Sequence, residues 1–118
     1  MIQRILVIDD DPGTTCSLRK LLEKKGYQVR EENDSTHALA AARDFQPHAV
    51  ILDYLMPRVH GGDVAWQLAS DATLRDVRVI VCSGVADWDL SKKLPPVRIP
   101  ILAKPIDTAA LLALLAEG

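Results

Sequence analysis

Short apolar runs alternate along the chain with longer stretches in which apolar residues recur at helical spacing. Four of these runs, each followed directly by a polar residue, cover residues 5–8, 49–52, 79–82 and 101–103. Continuous apolar runs of this length are typical of strands buried on both faces of a parallel sheet. Residues 27–30 alternate polar with apolar side chains, as a half-exposed edge strand would. The pattern therefore predicts an α/β fold with a doubly wound, five-stranded parallel sheet.

Five helices are predicted in the intervening stretches, and each has a start or stop signal of its own. These signals are Pro12 and Gly26 for the first helix, Ser35 and the Gln46-Pro47 pair for the second, Gly61-Gly62 for the third, Leu90 and Leu94 before the Pro95-Pro96 pair for the fourth, and Asp107 for the last. Proline within a strand is tolerated mainly at a sheet edge, and Pro100 interrupts the last apolar run. The fifth strand is therefore predicted to lie at an edge.

Polar side chains at the ends of the apolar runs are the candidate site residues, because functional groups of an open α/β sheet converge beyond the carboxyl ends of its strands. They are Asp9, Asp10, Asp53, Ser83 and Lys104. Three carboxylates brought together there form a set of oxygen ligands for a hard divalent cation, and Mg2+ fits best. A plainer interpretation is that the first aspartates only favour the N-terminus of the first helix, and for Asp11 that interpretation is preferred.

Asp53 ends the most apolar run, and a carboxylate there can act as a nucleophile toward phosphorus once a metal neutralises the incoming charge. Lys104 would offer an ammonium group to a phosphoryl oxygen, and Ser83 would offer a hydroxyl donor. Taken singly, a lysine is usually solvated and a serine after a strand usually lies in a turn. Their combination at successive strand ends favours phosphoryl chemistry over coincidence.

Composition narrows the functional classes. A length of 118 residues indicates one domain, residues 1–118, and the content of 48% apolar and 25% charged residues is that of an ordinary globular protein. A net charge of -2 argues against direct nucleic-acid binding, because no basic surplus exists to neutralise phosphates. Cys16 and Cys82 are widely spaced, which indicates reduced thiols. The sequence has neither a signal-peptide core nor a membrane-spanning run, so it predicts a cytoplasmic protein without a membrane partner.

Four motifs carry a resemblance to a known family. They are the Ile-Leu-Val-Ile-Asp-Asp start, Asp53-x-x-Met56-Pro57-x-x-x-Gly61, Ser83-Gly84 and Lys104-Pro105. In these motifs the chain resembles the receiver domain of two-component response regulators over essentially its whole length. The resemblance implies a flavodoxin-like fold with strand order 2-1-3-4-5 and a signalling domain rather than an enzyme. It also implies two kinds of partner: a sensor histidine kinase or histidine phosphotransfer protein, and a downstream effector protein or domain.

By that resemblance, Asp53 accepts a phosphoryl group from a phosphohistidine of the partner. Mg2+ would be held directly by Asp10, Asp53 and the main-chain carbonyl of Leu55, while Asp9 would contribute through water. The apolar side chains of Leu55 and Val85 lie two positions beyond Asp53 and Ser83. They would either hinder the water that hydrolyses an acyl phosphate, which predicts slow self-dephosphorylation, or merely fill space in their loops.

The resemblance further implies a switch. Ser83 would be the hydroxyl that moves toward the phosphoryl group, and Lys104, followed by a cis bond to Pro105, its ammonium partner. Charge on Asp53 would then change the surface around the predicted fourth helix, the fifth strand and the last helix. Receivers usually carry Tyr or Phe three residues before the lysine, whereas this chain has Ile101. Isoleucine has no ring to rotate and no hydroxyl, so the usual readout is in question.

Two other functions compete with a phosphorylation-dependent switch. A haloacid-dehalogenase-like phosphatase also uses a strand-end aspartate and Mg2+, but it needs a second aspartate two residues later, where this chain has Leu55, and an additional cap. A receiver-like interaction module with phosphate-independent or atypical output is favoured by Ile101. That module is opposed by the complete set of acidic residues and lysine, which favours the switch.

Several residues outside the site have two interpretations. Trp88 and Leu90 fall where receivers commonly meet partners, and either an interface anchor or a packed loop suits them. Trp66 is predicted to pack partly buried in the third helix. Surface or turn positions are predicted for the histidines, His37, His48 and His60. The last helix suits a stand-alone receiver, an excised one and the tail of a hybrid kinase equally.

Overall fold

Five parallel strands form one sheet in the order β2-β1-β3-β4-β5. The structure is a computed structural model, and it describes residues 3–84 and 90–117. The strands are β1 (Arg4–Ile8), β2 (Gln28–Glu32), β3 (Ala49–Asp53), β4 (Arg78–Ser83) and β5 (Ile101–Ala103). This order confirms the predicted flavodoxin-like sheet, with β2 and β5 at its edges.

Helices connect the strands on both faces of the sheet. The described residues contain four α-helices, namely α1 (Pro12–Lys24), α2 (Ala38–Phe45), α3 (Gly61–Ala69) and α4 (Thr108–Ala116). They also contain 3-10 helices over Ser35–His37, Ala72–Leu74 and Leu90–Lys93. No α-helix within these ranges is long and apolar enough to cross a membrane.

The prediction of five helices was wrong for the part of the chain that the structure describes. Where the fourth helix was expected, residues 90–93 form a 3-10 helix instead. Pro95 and Pro96 follow almost at once, and proline both lacks the donor that an α-helix needs and disfavours the helical conformation in the residue before it. The chain therefore passes from one short 3-10 helix to β5 without room for an α-helical turn.

The helix termini follow the sequence signals with one exception. Asp11 caps α1, because its side chain accepts a hydrogen bond from the Gly13 N–H, and Asp107 caps α4 in the same manner. Ser35 was predicted to cap the second helix, and that assignment was wrong. Asp34 caps the 3-10 helix that precedes α2, because its carboxylate accepts from the Thr36 N–H. The N-cap residue of α2 itself is His37, which makes no side-chain cap bond, and the Ser35 side chain is directed elsewhere.

Two apolar clusters pack on the two faces of the sheet. Side chains alternate along each strand, so β1 and β3 each contribute to both clusters. One cluster joins the sheet to α2 and α3 and includes Leu6, Ile8, Val50, Leu52, Ala41, Val64 and Leu68. The other joins it to α1 and α4 and includes Ile5, Val7, Ala49, Ile51, Leu22, Leu111 and Leu115. Burial on both faces fixes the register of the central strands, and the register in turn fixes where their carboxyl ends lie.

Candidate functional site

Asp9 and Asp53 meet because β1 and β3 are neighbours in the sheet. Ile8 of β1 is paired with Leu52 of β3, so the aspartates that come next lie side by side. Both side chains are buried, Asp9 at 4% and Asp53 at 7% exposure, whereas Asp10 is exposed. One carboxylate oxygen from each of the three residues lies within 4.8 Å of the others. The predicted acidic cluster is therefore formed at this end of the sheet.

Lys104 lies between the two buried aspartates. Its Nζ is 2.9 Å from Asp53 Oδ1 and 3.1 Å from Asp9 Oδ2. The lysine is brought there by the edge strand, because Ala103 pairs with Ser83 and the Lys104 N–H donates to the Ser83 carbonyl at 2.9 Å. The peptide bond from Lys104 to Pro105 is cis, as the resemblance implied. An ammonium group in this position balances part of the acidic charge.

The burial of these groups changes their pKa values. Burial raises the pKa of the Asp53 carboxyl, the nearby charge of Asp9 adds to that effect, and the hydrogen bond from Lys104 opposes it. Burial by itself would lower the pKa of Lys104, but its hydrogen bonds to Asp53 and Asp9 outweigh burial and raise it. Lys104 therefore stays charged at neutral pH and holds the aspartates as its counterions.

Ser83 ends β4 and is 5% exposed. It is the next residue after Cys82, which pairs with Asp53 across the sheet, so Ser83 adjoins the carboxylate cluster along the strand. Cys82 and Cys16 are free cysteines, and burial raises the pKa of the Cys82 thiol to about 12. The structure thus brings all five predicted polar residues to one end of the sheet.

The donor set fits Mg2+ by its chemistry. Carboxylate and carbonyl oxygens are the ligands that Mg2+ uses in proteins, usually with only one or two carboxylates and several waters. Exposed Asp10 leaves such a site open to water, while buried Asp9 and Asp53 supply fixed charge. Leu55, whose carbonyl is the further predicted ligand, lies on the loop directly after β3, and its side chain is 50% exposed.

The β2–α2 connection contacts the site, and the sequence did not identify it. The Asn33 Nδ2 donates to the Asp9 carbonyl at 2.8 Å, and the Ser35 hydroxyl contacts the loop after β3. The run from Asn33 to Thr36 is polar, which indicates a turn, but no local signal distinguishes a turn residue that reaches a site from one that does not.

The structure also tests the predictions for residues outside the site. Leu90 is 3% exposed, so it packs in the core and is not a surface anchor. The prediction for Trp66 was wrong: it is 46% exposed, and its Nε1 donates to the Lys93 carbonyl at 3.1 Å. His37 and His60 are exposed as expected. The predictions for Val85 and Trp88 lie outside the described residues.

Comparison with known proteins shows the family. Residues 5–116 match the profile of the response regulator receiver domain, and the chain belongs to that family. It is 34% identical to PilH of Pseudomonas aeruginosa over 112 residues, which is 92% of this chain and 91% of PilH. It is 39% identical over 87 residues to the DNA-binding response regulator MtrA of Mycolicibacterium smegmatis, covering 74% of this chain but only 38% of MtrA.

Solved structures show the same fold. The Vibrio cholerae chemotaxis protein CheY4 superposes with a TM-score of 0.87 at 19% identity, covering 99% of this chain and 98% of CheY4. The signal receiver domain of an HD domain-containing protein from Pseudomonas fluorescens gives a TM-score of 0.88 at 22% identity, covering 99% and 94%. Receiver domains are signalling domains of two-component systems rather than ordinary enzymes, and they bind Mg2+ at an acidic pocket such as the one formed here.

Proposed function

We propose that this chain is a cytoplasmic, phosphorylation-dependent switch of a two-component phosphorelay. Asp53 accepts a phosphoryl group from a phosphohistidine of a sensor histidine kinase or a histidine phosphotransfer protein. The observation that carries the proposal is the position of the Lys104 ammonium, 2.9 Å from Asp53 and 3.1 Å from Asp9, with exposed Asp10 completing the cluster. A phosphoryl acceptor needs this combination of a nucleophilic carboxylate and fixed positive charge.

The transfer is a displacement at phosphorus. An oxygen–phosphorus bond forms between the Asp53 carboxylate and the phosphoryl group while the nitrogen–phosphorus bond of the donor breaks. The imidazole leaves with the electron pair and takes up a proton. Asp10, Asp53 and the Leu55 carbonyl would hold Mg2+ directly and Asp9 through water, and the bound metal would supply neutralising charge. The Lys104 ammonium would donate a hydrogen bond to a phosphoryl oxygen and stabilise its charge.

The switch would begin at Ser83 and Lys104, which interact with the new phosphoryl oxygens. Their rearrangement shifts the equilibrium between two conformations of the surface formed by residues 90–93, β5 and α4. A downstream effector binds to this surface. Ile101, in the position of the usual switch aromatic, is 40% exposed on the edge strand. Ile101 therefore favours one of two alternatives to the usual switch. Either the aliphatic packing of Ile101 transmits the change, or the chain is an interaction module whose output does not depend on phosphate.

Intact mass spectrometry tests the acceptor. The protein is incubated with MgCl2 and acetyl phosphate or phosphoramidate, with Asp53→Ala in parallel. The parent should gain one phosphoryl group and the variant none. Modification of both proteins would place the acceptor elsewhere, and modification of neither, with folding verified by circular dichroism, would favour the phosphate-independent module.

Leu55 tests the predicted slow self-dephosphorylation. Its side chain is half exposed two residues beyond Asp53, and we propose that this apolar group hinders the approach of water to the acyl phosphate. The phosphorylated Leu55→Asn variant should hydrolyse faster by about tenfold, because the amide can orient the attacking water, an effect smaller than the roughly 10²–10⁴-fold of a proton-transfer group. Equal decay of the phosphorylated variant and the parent, followed by intact mass, would contradict this role.

A further inference from the structure

The β3–α3 loop (residues 54–60) is held from outside by one buried hydroxyl. Ser35 Oγ donates to the Pro57 carbonyl at 2.9 Å and accepts from the Val59 N–H at 3.3 Å. Pro57 O and Val59 N are also bonded to each other at 2.9 Å around Arg58, whose φ is 69°. A three-residue turn of this kind is strained for a residue other than glycine. The loop therefore depends on contacts from outside to keep its conformation.

The segment that carries Ser35 is also tied to the end of β1. Asn33 Nδ2 donates to the Asp9 carbonyl at 2.8 Å and to Thr15 Oγ1 at 2.9 Å. Asp34 Oδ2 lies 3.3 Å from the Arg58 guanidinium. A cleft of about 340 Å3 lies between these groups, lined by Asp10, Asn33, Asp34, Ser35, Pro57 and Arg58. Residues 33–35, here called the brace, thus contact both the end of β1 and the β3–α3 loop, which carry predicted metal ligands.

We propose that Ser35 is a positioning residue for the Mg2+ site. Its hydroxyl fixes the β3–α3 loop through Pro57 and Val59, and so keeps the Leu55 carbonyl in place for a cation held by Asp10 and Asp53. This inference rests on the proposed function, since it takes Leu55 as a ligand. Ser35 itself touches neither the cation nor the phosphoryl group, and its effect passes through the loop.

The hydroxyl is not needed for the local turn. A second 3-10 helix, Ala72–Leu74, has the same cap, with Asp71 accepting from Thr73 N–H, and it has alanine in the position that corresponds to Ser35. Alanine therefore suits the turn. What Ser35 adds is its pair of hydrogen bonds to the loop, at 5% exposure. A buried hydroxyl with two partners that the turn does not require is consistent with a role at the neighbouring site.

The test is the Mg2+ affinity of the whole chain, measured by titration with MgCl2 and followed by amide chemical shifts in 1H–15N NMR spectra. Ser35→Ala and Ser35→Gly both remove the hydroxyl and should raise the dissociation constant about tenfold, as loss of a group that orients a ligand does. Ser35→Thr keeps the hydroxyl and should restore the parent affinity. Thr73→Ala, which removes a hydroxyl from the cap of the second turn, is the control for general loosening of the fold and should leave the affinity unchanged.

The possible outcomes separate the positioning role of Ser35 from the proposed function of the chain. Equal affinity in the parent and in both hydroxyl-free variants would overturn positioning and leave the metal site standing. A parent without Mg2+-dependent shifts would overturn both. A parent that binds Mg2+ in a Ser35-dependent manner but gains no phosphoryl group would overturn only the acceptor role of Asp53. Amide exchange at Val59 gives a readout independent of the metal, and it should quicken in Ser35→Ala.

Discussion

Two turns of this protein are nearly identical locally and differ in what they touch. Asp34-Ser35-Thr36 and Asp71-Ala72-Thr73 both form an aspartate-capped 3-10 helix. In each, one carboxylate oxygen accepts from the threonine N–H at 2.9 Å and from its hydroxyl at 2.6 Å. In each, the other oxygen meets an arginine of a different segment, Arg58 at 3.3 Å and Arg43 at 2.6 Å.

The difference between the turns lies in one atom and its surroundings. The first turn carries a hydroxyl where the second carries a methyl group, and that hydroxyl bonds to the loop beside the acidic cluster. The second turn lies between α3 and β4, and Ala72, the residue after its cap, is exposed. The cap therefore accounts for the shape of the turn, and the middle side chain accounts for its connection to the site. Four predictions test this separation, beginning with the largest effect.

The loop held by Ser35 is fixed at its far end by Gly61. A Cβ at Gly61 would lie 2.3 Å from the Asp53 carbonyl oxygen and 2.6 Å from Tyr54 Cα, and both are backbone atoms. Gly61→Ala should lower the free energy of unfolding by about 3 kcal/mol and weaken Mg2+ binding more than any Ser35 variant. Urea unfolding and the MgCl2 titration measure the two effects.

Gly62 is the matched control for Gly61. Its Cβ would meet its nearest neighbours at 3.5 Å, which is ordinary contact, and alanine is the better helix former. Gly62→Ala should therefore leave the stability unchanged or raise it by up to about 1 kcal/mol. Similar losses for the two alanine variants would contradict a specific close approach at Gly61.

Removing each cap compares the turns directly. Asp34→Ala and Asp71→Ala should each lower the free energy of unfolding by about 1 kcal/mol, because each loses an equivalent set of hydrogen bonds to threonine. Only Asp34→Ala should also weaken Mg2+ binding, since it releases Arg58 and displaces Ser35. If Asp71→Ala weakened Mg2+ binding as much, general loosening of the fold would explain the effect, and the brace would not.

His48 is a bridging side chain at the opposite end of the sheet. Its Nδ1 accepts from the N–H groups of Gln3 at 3.2 Å and Arg4 at 3.0 Å, which only the neutral ring with a free Nδ1 can do. Burial first, and then the charge of Arg4, lowers its pKa below the ordinary value of 6.5. The unfolded chain therefore takes up a proton before the folded one as the pH falls.

The direction in which stability changes with pH follows from that order of protonation. The stabilisation is complete above the unfolded pKa and is lost as the pH falls through the lower folded pKa. Urea midpoints should decrease below about pH 6.5, and His48→Gln should reduce this decrease, with a loss at neutral pH of about 1 kcal/mol. Unlike Ser35→Ala, His48→Gln should not alter Mg2+ binding.

Ala72→Ser gives the smallest expected effect. It makes the second turn match the first in sequence, but position 72 is exposed, whereas Ser35 is buried. The free energy of unfolding should change by less than about 0.5 kcal/mol and the Mg2+ affinity should stay unchanged. An affinity change from this variant would show that hydroxyls in such turns act on the site by some path other than direct contact.

The fold and the candidate site were largely predictable because they depend on patterns within single segments. Continuous apolar runs identified the strands, and each of the five site residues follows such a run, so sheet order was enough to bring them together. The fourth helix was predicted wrongly for the described residues, since leucine spacing suggested an α-helix where residues 90–93 form a 3-10 helix just before the Pro95-Pro96 pair. Trp66 was predicted wrongly because an aromatic residue on a helix carries no local sign of which face it will lie on.

Sequence by itself determined the alternation of strands and helices, the family, and the positions of Asp9, Asp53 and Lys104 at strand ends. The physical reason is that hydrophobic periodicity and strand termini are local properties. Only the tertiary structure decided that the Ser35 hydroxyl meets the Pro57 carbonyl, 22 residues further along the chain. The two turns share their aspartate and threonine, and whether the middle residue meets a neighbour depends on where packing places segments distant in sequence.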